Sequence, residues 1–347
     1  MSTIKDVAHA AEVGVGTVSR VLSGKGSVSP ETAERVRSAV ERLGYRPSSA
    51  ARALALRRSG AIGVYVPGFD GYYYSGIVAS IDAQLRANGL HMIAANSCGG
   101  GEARQQALDG IESLLRCDCD GLLVTSNDLR NADYHALIAR CPNTVVINRR
   151  LPREPAHCFA AQHEQGGRLA ARALLEAGHR EIATISGPRD APDNVARMSG
   201  FHAELARHGV HVDPAHAAVG PFTHAGGDAA ARQLLAVGGG GRPGFSAVFC
   251  ANDLIAMAVV NRLNRAGLSV PGDVSVIGYD DADFAPYVSP PLTTIHVPSA
   301  DIAAHATRHV LNLCYGLGLD VERHFSSSVA WRESVQHGPH APLASPS

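Results

Sequence analysis

The sequence predicts an α/β protein with a three-helix helix-turn-helix head and two Rossmann-like subdomains, and three observations lead there. Residues 3 to 22 carry helical periodicity broken by a three-residue turn. From Ala61 onward the apolar period changes, and short β-type runs alternate with helical stretches of ten to sixteen residues. Around 270 residues of such alternation are too many for one compact sheet, so two subdomains are expected.

In order along the chain, Thr3 can cap the first helix with Asp6 three residues on, and Ile4, Val7, Ala8 and Ala11 form one apolar stripe. Glu12-Val13-Gly14 breaks it. Val15 to Leu22 forms the second helix, with Val18, Val21 and Leu22 inward and Val15, Gly16, Thr17, Ser19 and Arg20 outward. The second helix of such a pair enters the DNA major groove by its N-terminal end. Ser23 to Val28 reads as a wing-like loop. The third helix has Ser29 as N-cap, Pro30 at its first position, Ala33, Val36, Val40 and Leu43 as core stripe and Gly44 as its end. The head therefore spans 1–46. Residues 47–60 begin with an Ala-rich stretch, Pro47 to Leu54, too brief to hold a helix alone in water.

Strand-like runs in the core, 61–332, are Ile62 to Val66, Gly121 to Val124, Thr144 to Ile147, Ile182 to Ile185, Ala247 to Phe249 and Val274 to Ile277. Their alternation with helices means parallel sheets covered on both faces, whose ligands sit outside the carboxyl ends of the strands. Residues 333–347, ending in His-Gly-Pro-His-Ala-Pro-Leu-Ala-Ser-Pro-Ser, are expected to be a disordered tail. The glycine-rich stretch at 239–244 spells G-x-G-x-x-G but follows a helix and precedes a strand, the reverse of a dinucleotide site, and reads as a flexible loop.

Of the 347 residues, 45% are apolar and mean hydropathy is −0.02, which fits a soluble globular protein. The start lacks a basic then apolar leader pattern and no window approaches eighteen uninterrupted apolar residues, so a cytoplasmic location without membrane contact is expected. The seven cysteines are an odd number and several lie in or beside strand-like runs, so they read as buried thiols. Cys117 and Cys119 lack C-x-x-C spacing, and His305 and His309, at i and i+4, have no acidic third partner nearby, so no metal site and no cofactor are expected. Residues 1 to 60 hold ten Lys/Arg against five Asp/Glu, while the remainder holds 21 against 27. A basic head on an acidic body is the footprint of a module that meets phosphate backbone. No G-x-S-x-G elbow or nucleophile and base pairing argues for catalysis.

Thr3-Ile-Lys-Asp-Val-Ala8, followed by Thr17-Val-Ser-Arg-Val21, resembles the DNA-binding head of the LacI/GalR family of bacterial transcriptional repressors, and the resemblance spans about 330 residues. It implies that 47–60 holds a hinge helix that orders on DNA and pairs with its dimer mate, with Ala51 at the helix contact and Leu54 wedged into a minor-groove base step. Thr3, Thr17, Ser19, Ser29 and Thr32 match phosphate contacts, which position without specifying. Glu12 stands where relatives carry Gly or Asn, which implies left-handed strain of about 1 kcal/mol. Gly16 replaces a side chain that relatives offer to base edges. Discrimination then rests on Val15 against a thymine methyl and on Arg20 bidentate to guanine.

For the core, the resemblance implies the periplasmic-binding-protein fold, a ligand cleft and three crossovers, near 159–163, 290–297 and 319–323. Residues 61–160 with 293–320 would form one subdomain, and 161–290 with 321–332 the other. Tyr73, Asn148, Arg149, Arg197, Phe222, Asn252 and Asp280 match effector-contacting positions, each near a strand end. The set suits a polyol: amides, carboxyl and guanidinium share hydroxyl hydrogens, and an aromatic ring stacks on the sugar face. Read alone, Asp280 or Asp281 could equally cap a turn, Asn252 could cap helix 253–266, and Arg149 could pair with an acid in the opposite lobe. Ala161-Gln-His-Glu-Gln-Gly166 departs from the family pattern.

Asn148-Arg-Arg-Leu-Pro152 with Cys158 looks closest to the galactose-repressor branch, implying a mono- or small disaccharide inducer; a purine corepressor ranks second. One head reads one half-site, so a homodimer on a near-palindromic operator is expected, and the tail cannot form a tetramerising coiled coil. A transporter's solute-binding protein would share the cleft but have no such head.

Overall fold

The computed structural model describes residues 3–23, 27–45, 58–69, 71–97, 101–237 and 243–340. Ala51 and Leu54, the wing residues 24–26, Cys98, the glycine stretch 238–242 and the last seven residues lie outside these.

The head holds α1 (Ile4–Ala10), α2 (Val15–Ser23) and α3 (Pro30–Leu43). Thr3 and Asp6 close a reciprocal capping box: the Thr3 amide donates to Asp6 Oδ2 at 2.7 Å, and the Asp6 amide donates to Thr3 Oγ1 at 3.3 Å. Val7, Ala8, Ala11, Val18, Val36, Ala39 and Tyr45 are the buried core that fixes the three helices. Glu12 takes a left-handed φ of 53°, and Gly44 ends α3 at φ 57°. Leu22 departs from expectation and is exposed. It sits at the rim of the α2 stripe, one residue before the helix ends, and Val18 and Val21 fill the inner face instead.

The core is built on two sheets. The first is all parallel, with β1 (Ala61–Tyr65), β2 (His91–Ala95), β3 (Gly121–Val124), β4 (Thr144–Ile147) and β5 (Cys158–Phe159) in the order β2-β1-β3-β4-β5. The second holds β6 (Ile182–Ser186), β7 (Ala217–Val219), β8 (Ala247–Cys250), β9 (Ser275–Asp280), β10 (Thr293–His296) and β11 (Ser328–Ala330), in the order β11-β10-β9-β8-β6-β7. Only β11 runs antiparallel. The order reverses between β1 and β3 and again between β6 and β8, so each lobe offers a crevice at the carboxyl ends of those strands.

Helices α4 (Tyr72–Ala87), α5 (Ala103–Arg116) and α6 (Asn131–Arg140) follow strands of the first sheet; α7 (His163–Glu176), α8 (Pro192–Arg207), α9 (His224–Val237) and α10 (Asp253–Arg265) belong to the second. After β10 the chain returns, and α11 (Ser299–Tyr315) packs on α4, β3 and β4 of the first lobe. Helices α7 and α8 meet at near backbone contact. A Cβ on Gly167 would stand 1.9 Å from the Arg197 carbonyl oxygen, and one on Gly200 1.9 Å from that of Glu164. Only glycine permits this approach.

Three expectations are corrected. The resemblance places residues 293–296 in the first subdomain, but they form β10 of the second sheet, paired with β9. Their threonines are buried with satisfied hydroxyls: Thr294 Oγ1 donates to Asp253 Oδ1 at 2.6 Å, and Thr293 Oγ1 accepts from the Arg332 amide at 2.9 Å. Residues 333–340 are not a disordered tail. Ser334 is fully buried, donates to the Val276 carbonyl at 2.6 Å and accepts from the Thr293 amide at 2.8 Å, and the Gly338 amide donates to the Ala177 carbonyl at 2.6 Å. Of the six described cysteines only Cys250 and Cys314 are buried; Cys117 is exposed, and all six are free thiols.

Candidate functional site

Where the two crevices face each other lies a cavity of about 110 Å³. Six of the seven expected effector residues line it: Tyr73, Asn148, Arg197, Phe222, Asn252 and Asp280. Each arrives from a strand end. Tyr73 opens α4 after β1, Asn148 is the residue after β4, Arg197 lies in the first turns of α8 after β6, Phe222 follows β7, Asn252 follows β8 and Asp280 ends β9. Asn148 and Asp280 hold left-handed backbone, at φ 60° and 111°, and Asp281 follows at 60°. Such strain persists only where the surrounding structure fixes it.

Arg149 is not part of this lining. It is buried under its own lobe, with Nη2 donating to Asn131 Oδ1 at 2.8 Å and the guanidinium over the Tyr134 ring at 5.3 Å. Its partner is thus an amide of the same lobe and not an acid across the cleft. Asn252 does cap α10, with Oδ1 accepting the Ile255 amide at 2.9 Å, while it also faces the cavity. Asp281 is held by Arg332 at 2.7 Å and His296 at 3.0 Å.

Arg197 organises the floor. Its guanidinium lies 3.6 Å from the Tyr279 ring centroid, donates from Nη1 to the Ala251 carbonyl and sits 3.7 Å from Asp193. Its Nε is buried with no partner among the described residues. Burial pushes the Asp280 carboxyl well up from its ordinary range; Arg197 opposes this and Asp253 and Asp193 add to it. A carboxyl held toward its neutral form both donates to and accepts from a hydroxyl. Burial likewise raises the Tyr73 phenol, with Asp280 adding to it.

Three participants were not singled out from the sequence. Asp193 joins the lobes: its Oδ1 accepts from Asn127 at 3.0 Å and its Oδ2 from Asn148 at 3.5 Å, both from the first lobe. His163, within the stretch that departs from the family pattern, is buried. Its Nε2 donates to Asn148 Oδ1 at 2.6 Å, and its Nδ1 accepts from the Tyr279 hydroxyl at 3.1 Å. Burial, with Arg197 and Arg150 nearby, pulls its pKa down to about 3, so the ring is neutral.

In the head, the N-terminal end of α2 is open to solvent. Val15 is 42% exposed, and a Cβ on Gly16 would meet nothing. Arg20 is exposed and folds back along its own helix, Nε donating to the Gly16 carbonyl at 3.2 Å and Nη2 to Thr17 Oγ1 at 3.4 Å. Ser19 is half-buried. Ser29 caps α3 and donates to Thr32 Oγ1 at 2.8 Å. Among the described residues no cluster of three His, Cys, Asp or Glu is placed to hold a metal ion, and no helix is long and apolar enough to cross a membrane.

A helix-turn-helix head joined to a two-lobed core with a ligand cleft defines the class of ligand-responsive DNA-binding transcriptional regulators. Residues 3–48 match the family model for bacterial regulatory proteins of the lacI family, and residues 171–335 match the periplasmic binding protein-like domain. The chain is 34% identical over 346 residues to the regulator GalS of Salmonella typhimurium, with 96% of this chain and 98% of that one covered. It superposes with TM-score 0.85 on the lac repressor dimer bound to operator and an anti-inducer, at 28% identity and 96% and 99% coverage. The regulator CelR in complex with cellobiose gives TM-score 0.69, 32% identity and 96% and 100% coverage. The chain belongs to the LacI family.

Proposed function

We propose that this regulator is a homodimeric repressor that reads a near-palindromic operator through α2 and is released when a mono- or disaccharide occupies the cleft. The observation that carries the reading is the convergence of Tyr73, Asn148, Arg197, Phe222, Asn252 and Asp280 on one cavity between the lobes. Amides, a guanidinium and a carboxyl whose charge burial disfavours match a ring of hydroxyls there, and Phe222 and Tyr73 match its apolar face. Because the lining comes from both lobes, a ligand that touches both has different affinity for open and closed cores, and that difference is what transmits to the head. The cellobiose complex of CelR and the operator complex of the lac repressor support this. The residues of the cleft work by binding, and no catalytic role is proposed for them.

A thermal-shift screen of monosaccharides, disaccharides and nucleobases, followed by operator binding with and without each hit, tests the reading. A stabilising sugar that releases operator is expected; a nucleobase that tightens operator binding would replace it with corepressor control. Arg20→Ala is expected to weaken operator binding by 1–3 kcal/mol, read in a gel shift, with non-specific DNA affinity little changed.

A further inference from the structure

Where the chain enters the core, at Arg58 to Gly60, it is fastened to a single carboxylate. Asp120, the residue before β3, accepts two successive amides: Ser59 donates to Oδ1 and Gly60 to Oδ2, each at 2.8 Å. The Tyr315 hydroxyl donates to the same Oδ2 at 2.5 Å, and the Arg58 guanidinium lies over the Tyr315 ring at 5.0 Å. The backbone of Asp120 is fixed as well. Its amide donates to the Ala61 carbonyl at 2.9 Å, and its carbonyl accepts from Asn143 Nδ2 at 3.0 Å and from the Cys314 thiol at 3.1 Å. Hydrogen bonds to an ionised carboxylate are stronger than neutral ones, so three donors on one such group make a firm anchor. None of its members belongs to the recognition helix or lines the central cavity.

Tyr315 is the last residue of α11, which the chain reaches from β10 of the second sheet and leaves for β11 of the same sheet. The first turn of α11, Ser299 to Asp301, lines a cavity of about 230 Å³ together with residues 281 to 284 of the second lobe. Its last turn is pinned to the outgoing crossover, where the Asn312 side chain exchanges two 2.8 Å bonds with the Leu319 backbone. At 1.5 Å per residue the 17 residues of this helix span about 26 Å. A shift of the second lobe therefore acts on both ends of one stiff element, and the residue at its far end holds the anchor.

We infer that Tyr315 and Asp120 are positioning residues for operator binding. Without touching DNA they fix the point from which the chain departs toward the head, and through α11 that point follows the state of the cleft.

The test is a double-mutant cycle in DNA binding by the full chain, with a duplex selected from random DNA by the unaltered protein and a scrambled duplex of the same length. Tyr315→Phe removes one hydroxyl and keeps the ring beneath Arg58. Asp120→Asn takes one acceptor oxygen from the three donors. Each is expected to weaken binding of the selected duplex about tenfold and to leave the scrambled duplex unchanged. A merely structural role would lower the melting temperature and leave the ratio of the two affinities where it was. The partner in the cycle is Asn127→Ala, which removes the 3.0 Å bond to Asp193 across the cleft and keeps the Asp193–Arg197 pair. Asn127 and Asp120 lie beyond opposite ends of β3, whose four residues span about 13 Å. Independent sites that far apart combine to within about twofold. Tyr315→Phe and Asn127→Ala are expected to depart from simple combination by about fivefold or more. An unchanged affinity ratio in either anchor variant would overturn the positioning role. A lowered ratio that simply multiplies with the effect of Asn127→Ala would overturn transmission through α11.

Discussion

Asp193 accepts hydrogen bonds from Asn127 and Asn148 across the cleft and lies 3.7 Å from Arg197 on its own helix. Asp193→Ala would take from the buried Arg197 guanidinium the carboxylate 3.7 Å away, and a loss of about 3 kcal/mol in thermal or urea unfolding is expected. Asp193→Asn, which keeps an acceptor, should lose less. Asp253 behaves differently. It is buried, accepts from Thr294 Oγ1 and from the Ala282 amide, and burial raises its pKa to about 7. The unfolded chain releases this proton near pH 4 and the folded chain holds it to about 7, so the group's contribution to stability is full at low pH and is lost as pH rises through that window. The loss is roughly 4 kcal/mol at most. Asp253→Asn should be less stable at low pH but lack this slope, as read from melting temperatures between pH 4 and 8. Residues at a strand terminus, such as Asn148 and Asp280, were legible because strand ends are where a doubly wound sheet places ligands. Asp193 and Asn127 were not. Asp193 sits in the first turn of a helix, where an acidic residue already has a reason to be, and Asn127 lies in a turn whose partner is 66 residues away.

Among the elements, α1 to α3 could be read almost residue by residue, because capping, periodicity and turn chemistry are all local. β10 could not, since Thr-Thr-Ile-His carries little apolar signal, and its hydroxyls are satisfied by Asp253 and by the Arg332 backbone, both about 40 residues away. The α7–α8 contact was equally hidden, for nothing local to Gly167 or Gly200 shows that another helix backbone lies against it. Gly200→Ala should force the helices apart and cost about 1–3 kcal/mol or more, and should also weaken effector binding because Arg197 rides on the same helix. Gly16→Ala provides the contrast. With open space around it, a methyl there should stabilise the head by about 0.5–1 kcal/mol, seen in the melting of the DNA-binding part.

At the scale of the molecule, two sheets and a cleft followed from the alternation of strands and helices, whereas the ties that close the cleft were invisible because they are side-chain hydrogen bonds between lobes. An effector held by both lobes at a hundred times its Kd should raise unfolding free energy by about 2.7 kcal/mol. The same saturation should reduce the radius of gyration of Asp193→Ala in solution scattering more than that of the unaltered chain, because the variant lacks the native ties.

The return of the chain through α11 to the first lobe, and the anchoring of Ser334 under β9 and β10, also set an order of events during synthesis. The head is finished once Tyr45 has left the ribosome. The first lobe waits for α11, ending at Tyr315, and the second for Ser334 and Gly338. A nascent or prematurely terminated chain would therefore carry a folded DNA-reading module with no means of sensing its effector.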